Sequence, residues 1–469
     1  MAENYKRREE EVKELIRKFE AYMKHQESHY FDSDKLETII QYYLDNQKNK
    51  RALKAAEMAA ELYPYNADIT IMRAQVFSSL DNYEEALDIL TEALNLHPSD
   101  DEIMIMKGNV HSVLGQPEEA INSFEMALDF AEEKDDIYYH IGLTYQTQSD
   151  YNKASEYYKM AIEENLNHES ALYELAYCLD VIGELETSLN YYEQFIEKDP
   201  FSEYAWYNIG IVYNKLAQFE KAIDAYEYAL AIDDTFSSAH FNMGNAYMNL
   251  GHFTKALDSY KSTLDMEGAS AETYCCIGAA YEKLGQFDLA IKYYRKSVKL
   301  DQFYDEGWFG IGICMSFKDK WYEAVHFFNK ALKLDAENAV YWKAVAEAES
   351  KVGNIVSAVD AYEEALALDP TDYETWLSLS NIFFEQGEYA KAAQTIEQAI
   401  DEQPETADLY YRMVAYLITD GKYKEAFNIL ENALFLDFDK HTALYDFFPK
   451  LETQKALFKI IEQHRKQNS

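Results

Sequence analysis

The sequence predicts an all-α chain made of tandem helical hairpins, and three observations predict it. A pattern returns every 34 residues without a slip. Each period carries two apolar stripes at helical spacing. Glycine and proline fall at fixed places between the stripes. The period is plainest from Glu203 to Phe236, EYAWYNIGIVYNKLAQFEKAIDAYEYALAIDDTF. Counted from Glu203, Trp206, Ile209, Gly210 and Tyr213 are positions 4, 7, 8 and 11, one face of a first helix, helix A. Ala222, Tyr226 and Ala229 are positions 20, 24 and 27, the face of a second helix, helix B. Ala217 to Phe219 lie in the turn between them.

Taken in order, residues 1–32 come first. Glu3 to about Gln26 reads as a charged amphipathic helix with Val12, Leu15, Ile16, Phe19, Tyr22 and Met23 on one face. It is expected to cap the exposed end of the first repeat, because the terminal apolar faces of a repeat array need covering. A dimerising helix is the alternative. Twelve repeats follow over 33–440 with no linker, starting at Ser33, Ala67, Asp101, Asp135, Glu169, Glu203, Ser237, Ala271, Asp305, Ala339, Tyr373 and Ala407. Position 20 is Ala in every repeat but one, which has Ser188. Position 27 is Ala in nine, so neighbouring helices can approach closely. Thirteen of the 16 glycines occupy position 8 or 15. Pro64, Pro98, Pro200, Pro370 and Pro404 all sit at position 32, where a proline stops helix B before the next helix A. Ile40 replaces the glycine of the first repeat, Asp319 replaces the turn glycine of the ninth, and Glu349 stands at position 11 of the tenth. Residues 441–469 are expected to cap the C-terminal end. In HTALYDFFPK, Leu444, Phe447 and Phe448 keep positions 4, 7 and 8 of another helix A until Pro449 breaks the register. A last amphipathic helix is expected from about Thr453 to Lys466.

The period, together with the Trp-Leu-Gly-Tyr…Ala…Phe…Ala…Pro pattern, resembles the tetratricopeptide repeat (TPR). The resemblance covers 408 of 469 residues, about 87%. It implies an α-solenoid, a right-handed superhelix of helix-turn-helix repeats whose helix A residues line a concave groove. It also implies a scaffold or adaptor that binds a protein or peptide partner.

By length alone, 469 residues would be two or three globular domains. A repeat array overrides that count, and one elongated domain is expected. Four cysteines do not make a disulfide framework. Cys178 and Cys314 fall at position 10 and read as small core residues. Cys275 and Cys276 are adjacent, and two reduced thiols are favoured over a vicinal disulfide. The charged N-terminus lacks the apolar core of a signal peptide. No run approaches the roughly 18 apolar residues of a membrane span. A reducing cytoplasm is the simplest compartment. The net charge is −41, and the repeats carry −42 of it, because residues 1–32 sum to −1 and residues 441–469 to +2. Such a field repels nucleic-acid phosphates and anionic membrane surfaces and favours a basic partner. High solubility is its plainer consequence.

Few residues stand in a catalytic or metal-binding pattern. His25 and His29 are four apart, a metal-ligand spacing on a helix. Gln26, not Glu, follows the first, so the zinc-protease pattern fails, and a metal would need a third ligand such as Asp32 or Asp34. There is no phosphate-binding glycine loop, nucleophile elbow or Cys-x-x-Cys pair, and the repeats leave no room for a catalytic domain. The expectation is a non-enzyme with no metal, no cofactor and no catalytic residue.

Positions 2, 5, 9 and 12 of helix A form a second stripe, about 100° round from the packing stripe. In the repeats from Asp135 to Asp305 it is rich in aromatics. Tyr139, Tyr173, Tyr177, Tyr207, Phe241, Asn245 and Phe309 are the expected partner-binding residues, facing one continuous concave surface. The competing reading is that position 5 packs partly against the next repeat. Position 2 carries acids in eight repeats, which also complement the helix dipole. TPR domains that clamp a C-terminal carboxylate resemble one another in a Lys-Asn…Asn…Lys-Arg set. Here Asn242 and Asn245 recur, but Tyr207, Glu272 and Cys276 stand where cations belong. Only Asn208 and Asn242 match the asparagine ladder of the glycosyltransferase TPRs. A regulatory or assembly subunit of an enzyme complex, held through the terminal caps, is the alternative function.

Overall fold

The structure, a computed structural model, describes residues 2–25, 30–449 and 454–468. Twelve helix A segments begin at Ser33, Ala67, Asp101, Asp135, Glu169, Glu203, Ser237, Ala271, Asp305, Ala339, Tyr373 and Ala407, each the first residue of its 34-residue period. Each pairs with a helix B, from Asn49–Leu62 in the first repeat to Tyr423–Leu436 in the twelfth. No strand occurs among the described residues. The fold is an all-α solenoid of helix-turn-helix repeats.

The same local chemistry makes every hairpin. Position 15 is in the left-handed region in all twelve repeats. Seven are glycines, from Gly115 to Gly421, and five are Gln47, Asp81, Ser149, Ala217 and Asp319. Behind it the position-16 N–H reaches back to the position-11 carbonyl, as Glu184 does to Leu179 at 2.7 Å and Gln218 to Tyr213 at 2.9 Å. This bond satisfies a carbonyl that the end of helix A would otherwise leave open. Asp319 adopts φ 55° where glycine would be unstrained, a small local cost that the ninth repeat carries. Position 34 caps the next helix A. The side chains of Asp32, Asn66, Asp100, Ser202, Ser270, Asn338 and Asp372 each accept an N–H from its first turn.

Packing inside each hairpin turns on positions 8 and 24. Where position 24 is a large ring, position 8 is usually glycine, as in Gly108/Phe124, Gly142/Tyr158, Gly210/Tyr226, Gly244/Tyr260, Gly278/Tyr294 and Gly312/Phe328. The rings lie where a side chain would be. A Cβ on Gly210 would stand 2.4 Å from Tyr226 Cε1, and one on Gly312 2.4 Å from Phe328 Cδ1. Where position 8 is larger, position 24 shrinks, as in Ile40/Ala56, Ala74/Leu90, Ser380/Ile396 and Val414/Leu430. Ala176/Tyr192 and Ala346/Tyr362 break the rule. Between repeats, the position-4 side chain donates to the position-32 carbonyl of the repeat before. Trp206 donates to Pro200 (3.0 Å), Trp308 to Gln302 (3.0 Å), Trp342 to Ala336 (2.9 Å), Trp376 to Pro370 (2.9 Å) and Tyr410 to Pro404 (2.9 Å). Proline suits that place because it ends helix B yet keeps an acceptor.

The chain divides into two compact units, Met1–Ile232 and Asp233–Ser469. The division falls at the end of the sixth repeat's helix B, Phe219–Ile232. Each repeat contacts mainly its neighbours, so an array can divide at any junction without a linker to mark it.

At the N-terminus of the first unit, helix Ala2–His25 buries Ile16 and Phe19 with Leu36, Ile39 and Ile40 of the first repeat. The rings of Phe19 and Phe31 meet edge to face at 5.6 Å. In the second unit, the segment expected to resemble another helix A departs from it. Asp439–Ala443 is a 3₁₀ turn and Leu444–Phe447 a single α turn. Pro449 has no N–H to continue a helix and pushes Phe448 out of the helical region, to φ −128° and ψ 77°. Leu444 is nonetheless fully buried, with Leu457 and Ile461 of helix Lys455–Asn468 in the same core. Glu349 is half-buried and accepts from Asn354 Nδ2 at 2.7 Å, so the acid at a packing position has a partner across its own turn.

Candidate functional site: the helix A stripe

The helix A stripe is nearly free of cations, and four lysines of helix B lie over rings instead. Position 19 lysines lie over position 11 rings of the packing stripe: Lys153 over Tyr145 (4.9 Å), Lys221 over Tyr213 (5.2 Å), Lys255 over Tyr247 (5.1 Å) and Lys391 over Phe383 (3.9 Å). Over all twelve repeats, positions 2, 5, 9 and 12 of helix A hold twelve carboxylates and one cation, Lys343. Lys343 is bound to Asp372 (2.8 Å) and Glu374 (3.3 Å). Several carboxylates on this stripe feel burial or one another. Glu282 is held above the usual carboxylate range by burial, against the pull of a hydrogen bond from Tyr294 at 2.8 Å. Glu102 is raised by burial and by Asp68.

The seven residues expected to bind a partner fall into three groups. Tyr173 and Tyr177 are exposed, at 59% and 46%. Tyr139, Tyr207, Phe241 and Phe309 are half-buried, each leaning on the position-24 ring of its own repeat. The ring separations are 5.8 Å to Tyr158, 5.9 Å to Tyr226, 5.6 Å to Tyr260 and 5.4 Å to Phe328. Phe309 also meets Tyr341 of the next repeat at 4.6 Å. Asn245 accepts the Tyr260 hydroxyl at 2.7 Å, so its carbonyl is occupied within the fold.

Two pockets open between successive A helices along the stripe. In the first unit, a pocket of about 200 Å³ lies between helix A of the fifth repeat (Glu169–Val181) and that of the sixth (Glu203–Lys215). Tyr173, Tyr177, Asp180, Asn208, Ile211 and Lys215 line it, with Tyr192 of the fifth helix B. The Lys215 ammonium is paired with the Asp180 carboxylate inside it. In the second unit, a pocket of about 320 Å³ is lined by Phe309, Ile313, Lys343, Glu347, Asp372 and Thr375 among others.

The single-repeat pattern missed Lys215 and Tyr192. The signal was available only across repeats, as an acid at position 12 followed 35 residues later by a lysine at position 13. Among the described residues, no group of three His, Cys, Asp or Glu side chains is placed to hold a metal ion. The side chains of His25 and His29 lie outside the described residues. All four cysteines are free, and burial raises the thiols of Cys178, Cys276 and Cys314 to about 12. No described helix is long and apolar enough to cross a membrane.

Profiles described as tetratricopeptide repeat match residues 170–202, 203–236, 239–272, 271–304 and 351–415, and one described as the Psidin N-terminal TPR region matches 35–166. The chain is a tetratricopeptide-repeat protein. TPR proteins are generally protein-interaction scaffolds and typically non-catalytic. Among solved structures, this TPR chain is similar to the APC/C hetero-tetramer Cut9-Hcn1. The two are 16% identical, 82% of this chain and 96% of that chain are covered, and the TM-score is 0.41. It is also similar to YrrB, described as a TPR protein with an unusual peptide-binding site, at 21% identity, 39% and 95% coverage and TM-score 0.32. The comparison with curated protein sequences gives no match.

Proposed function

We propose that this TPR protein is a scaffold or adaptor that binds a basic protein or peptide segment along the helix A stripe, without catalysis of its own. The observation that carries the reading is the near absence of cations from the stripe. The stripe holds twelve carboxylates against Lys343 alone, while four lysines of helix B are held over rings of the packing stripe. A cationic segment gains from that field, and nucleic acid or an anionic membrane surface is repelled by it. Tyr173 and Tyr177 supply exposed aromatic area, and aromatics are enriched among residues that dominate binding. A reducing compartment such as the cytoplasm suits four free cysteines.

The test is the affinity of a partner captured from native extract for the Tyr173→Ala, Tyr207→Ala double variant, at low and high salt, with circular dichroism as the folding control. The expected loss is roughly 1–3 kcal/mol per effective ring, with binding weaker as salt rises. Unchanged affinity in a folded variant would place the partner on the helix B face or the caps, the latter as in an assembly subunit. Salt-independent binding would reduce the acids to a solubility device.

A further inference from the structure

We infer that the pocket between the fifth and sixth A helices is a receptor for a single arginine side chain of the partner. The inference rests on the stripe being the binding face and names the chemistry it selects. Size comes first. At about 200 Å³ the pocket is smaller than the ~300–1,000 Å³ of a cofactor or drug-sized site and matches one side chain.

The second observation is an unpartnered polar atom. Tyr192 lines the pocket and is only 2% exposed, and its hydroxyl has no hydrogen-bond partner. In three other repeats the position-24 hydroxyl is used within its own repeat: Tyr158 donates to Gln146 (2.6 Å), Tyr260 to Asn245 (2.7 Å) and Tyr294 to Glu282 (2.8 Å), while that of Tyr226 is unpartnered like Tyr192. In the fifth repeat the group at position 12 is Asp180, and it has turned to Lys215 of the next repeat. A buried hydroxyl without a partner costs stability, and a small turn of the Tyr192 ring would offer it to a group entering the pocket.

The occupant follows from the walls. Tyr173 and Tyr177 offer aromatic faces, Asp180 a carboxylate, and the Tyr192 and Asn208 side chains oxygen acceptors. A guanidinium is planar, stacks on rings and carries five N–H donors that need only acceptors, so it can meet all of these at once. Lys215 already shows that the pocket holds a cation. It is a self-supplied ammonium that a fork-shaped guanidinium can displace from Asp180 toward solvent, since Lys215 is 44% exposed. An apolar side chain would leave the Tyr192 hydroxyl open, and a carboxylate would meet Asp180.

The probe is N-acetyl-arginine methylamide, titrated against the full chain by saturation-transfer NMR beside its lysine, citrulline, glutamate and phenylalanine counterparts. Arginine is expected to bind best, with saturation greatest at the methylenes next to the guanidinium. Asp180→Asn should weaken it about fivefold, the scale of a partly exposed ion pair. Lys215→Met should strengthen it by a similar factor by freeing Asp180. Tyr192→Phe should weaken it about twofold, a fraction of one hydrogen bond. Glu156→Gln, the same charge change on a helix B, should leave it unchanged. Equal binding of arginine and lysine, insensitive to Asp180→Asn, would overturn the inference in favour of diffuse charge attraction. Preference for glutamate, lost in Lys215→Met, would overturn it in favour of a carboxylate site, and preference for phenylalanine in favour of an apolar one. If the captured partner still depends on Tyr173 and Tyr207 while arginine fails here, the pocket assignment falls and the groove reading stands.

Discussion

The fourth and fifth repeats are built on the same frame and end differently. Both bury a tyrosine at position 24, Tyr158 and Tyr192, beneath a small residue at position 8, Gly142 and Ala176. In the fourth repeat, Gln146 accepts the tyrosine hydroxyl and its amide donates to Glu174 of the next helix A at 2.7 Å, so the polar groups are consumed by the fold. In the fifth, Asp180 pairs with Lys215 and the hydroxyl is left open beside a pocket. Position 8 and position 24 are framework. Positions 9 and 12 decide whether the polar tip of that framework is paired within the fold or left unpaired. The sixth repeat shares the second outcome, with the Tyr226 hydroxyl and Asn214 Oδ1 both unpartnered.

The largest effect should come from breaking the framework. Gly210→Val drives a side chain into the Tyr226 ring and should cost about 1–3 kcal/mol, as overpacking does. It would be read as a lower denaturation midpoint. Adding Tyr226→Leu recreates the Val414/Leu430 pair of the twelfth repeat and should recover most of the loss, so the two substitutions should be strongly non-additive. Additive losses would mean that positions 8 and 24 are not the coupled pair their pattern implies.

A smaller effect is expected at the junctions, which are framework too. Trp376→Phe keeps the ring and removes the N–H given to Pro370, and should cost about 0.5–1.5 kcal/mol in equilibrium denaturation.

The smallest effect sharpens the groove side. Burial holds Glu282 above the ordinary carboxylate value, so folding favours its neutral form. That contribution is full below the ordinary value and is lost as pH rises through the raised folded value. Glu282→Gln keeps an acceptor for Tyr294. It should raise the thermal midpoint at pH 7, and the gain should shrink toward zero as pH falls and the wild-type carboxyl, raised by burial, takes up its proton. A gain constant with pH would detach it from the charge.

Much of the fold was legible in the residues because a 34-residue period repeats each local decision twelve times. Turn position 15, stop position 32 and the small residues at positions 8, 20 and 27 each recur. The division into two units was not legible, because contacts between neighbouring repeats look alike in sequence wherever they fall. The stripe was legible by position, but the exposure of its rings was not. Tyr139, Tyr207, Phe241 and Phe309 share position 5 with Tyr173, yet they lean on rings beneath them while Tyr173 does not bury itself. Asn245 looked like a binding amide and is an internal acceptor. The Asp180–Lys215 pair joins adjacent A helices, and its meeting depends on their relative placement rather than on a pattern within one repeat.

The contrast between the two repeats is most directly tested by one paired measurement, the stability of Tyr158→Phe and of Tyr192→Phe against the parent chain by denaturation under identical conditions. Removing the Tyr158 hydroxyl breaks a made hydrogen bond and should cost about 0.5–1.5 kcal/mol. Removing the Tyr192 hydroxyl deletes an unpartnered buried group and should be neutral or stabilising. Equal losses in the two variants would show that the Tyr192 hydroxyl is already spent within the fold, and would contradict the assignment of the fifth repeat's pocket to a partner.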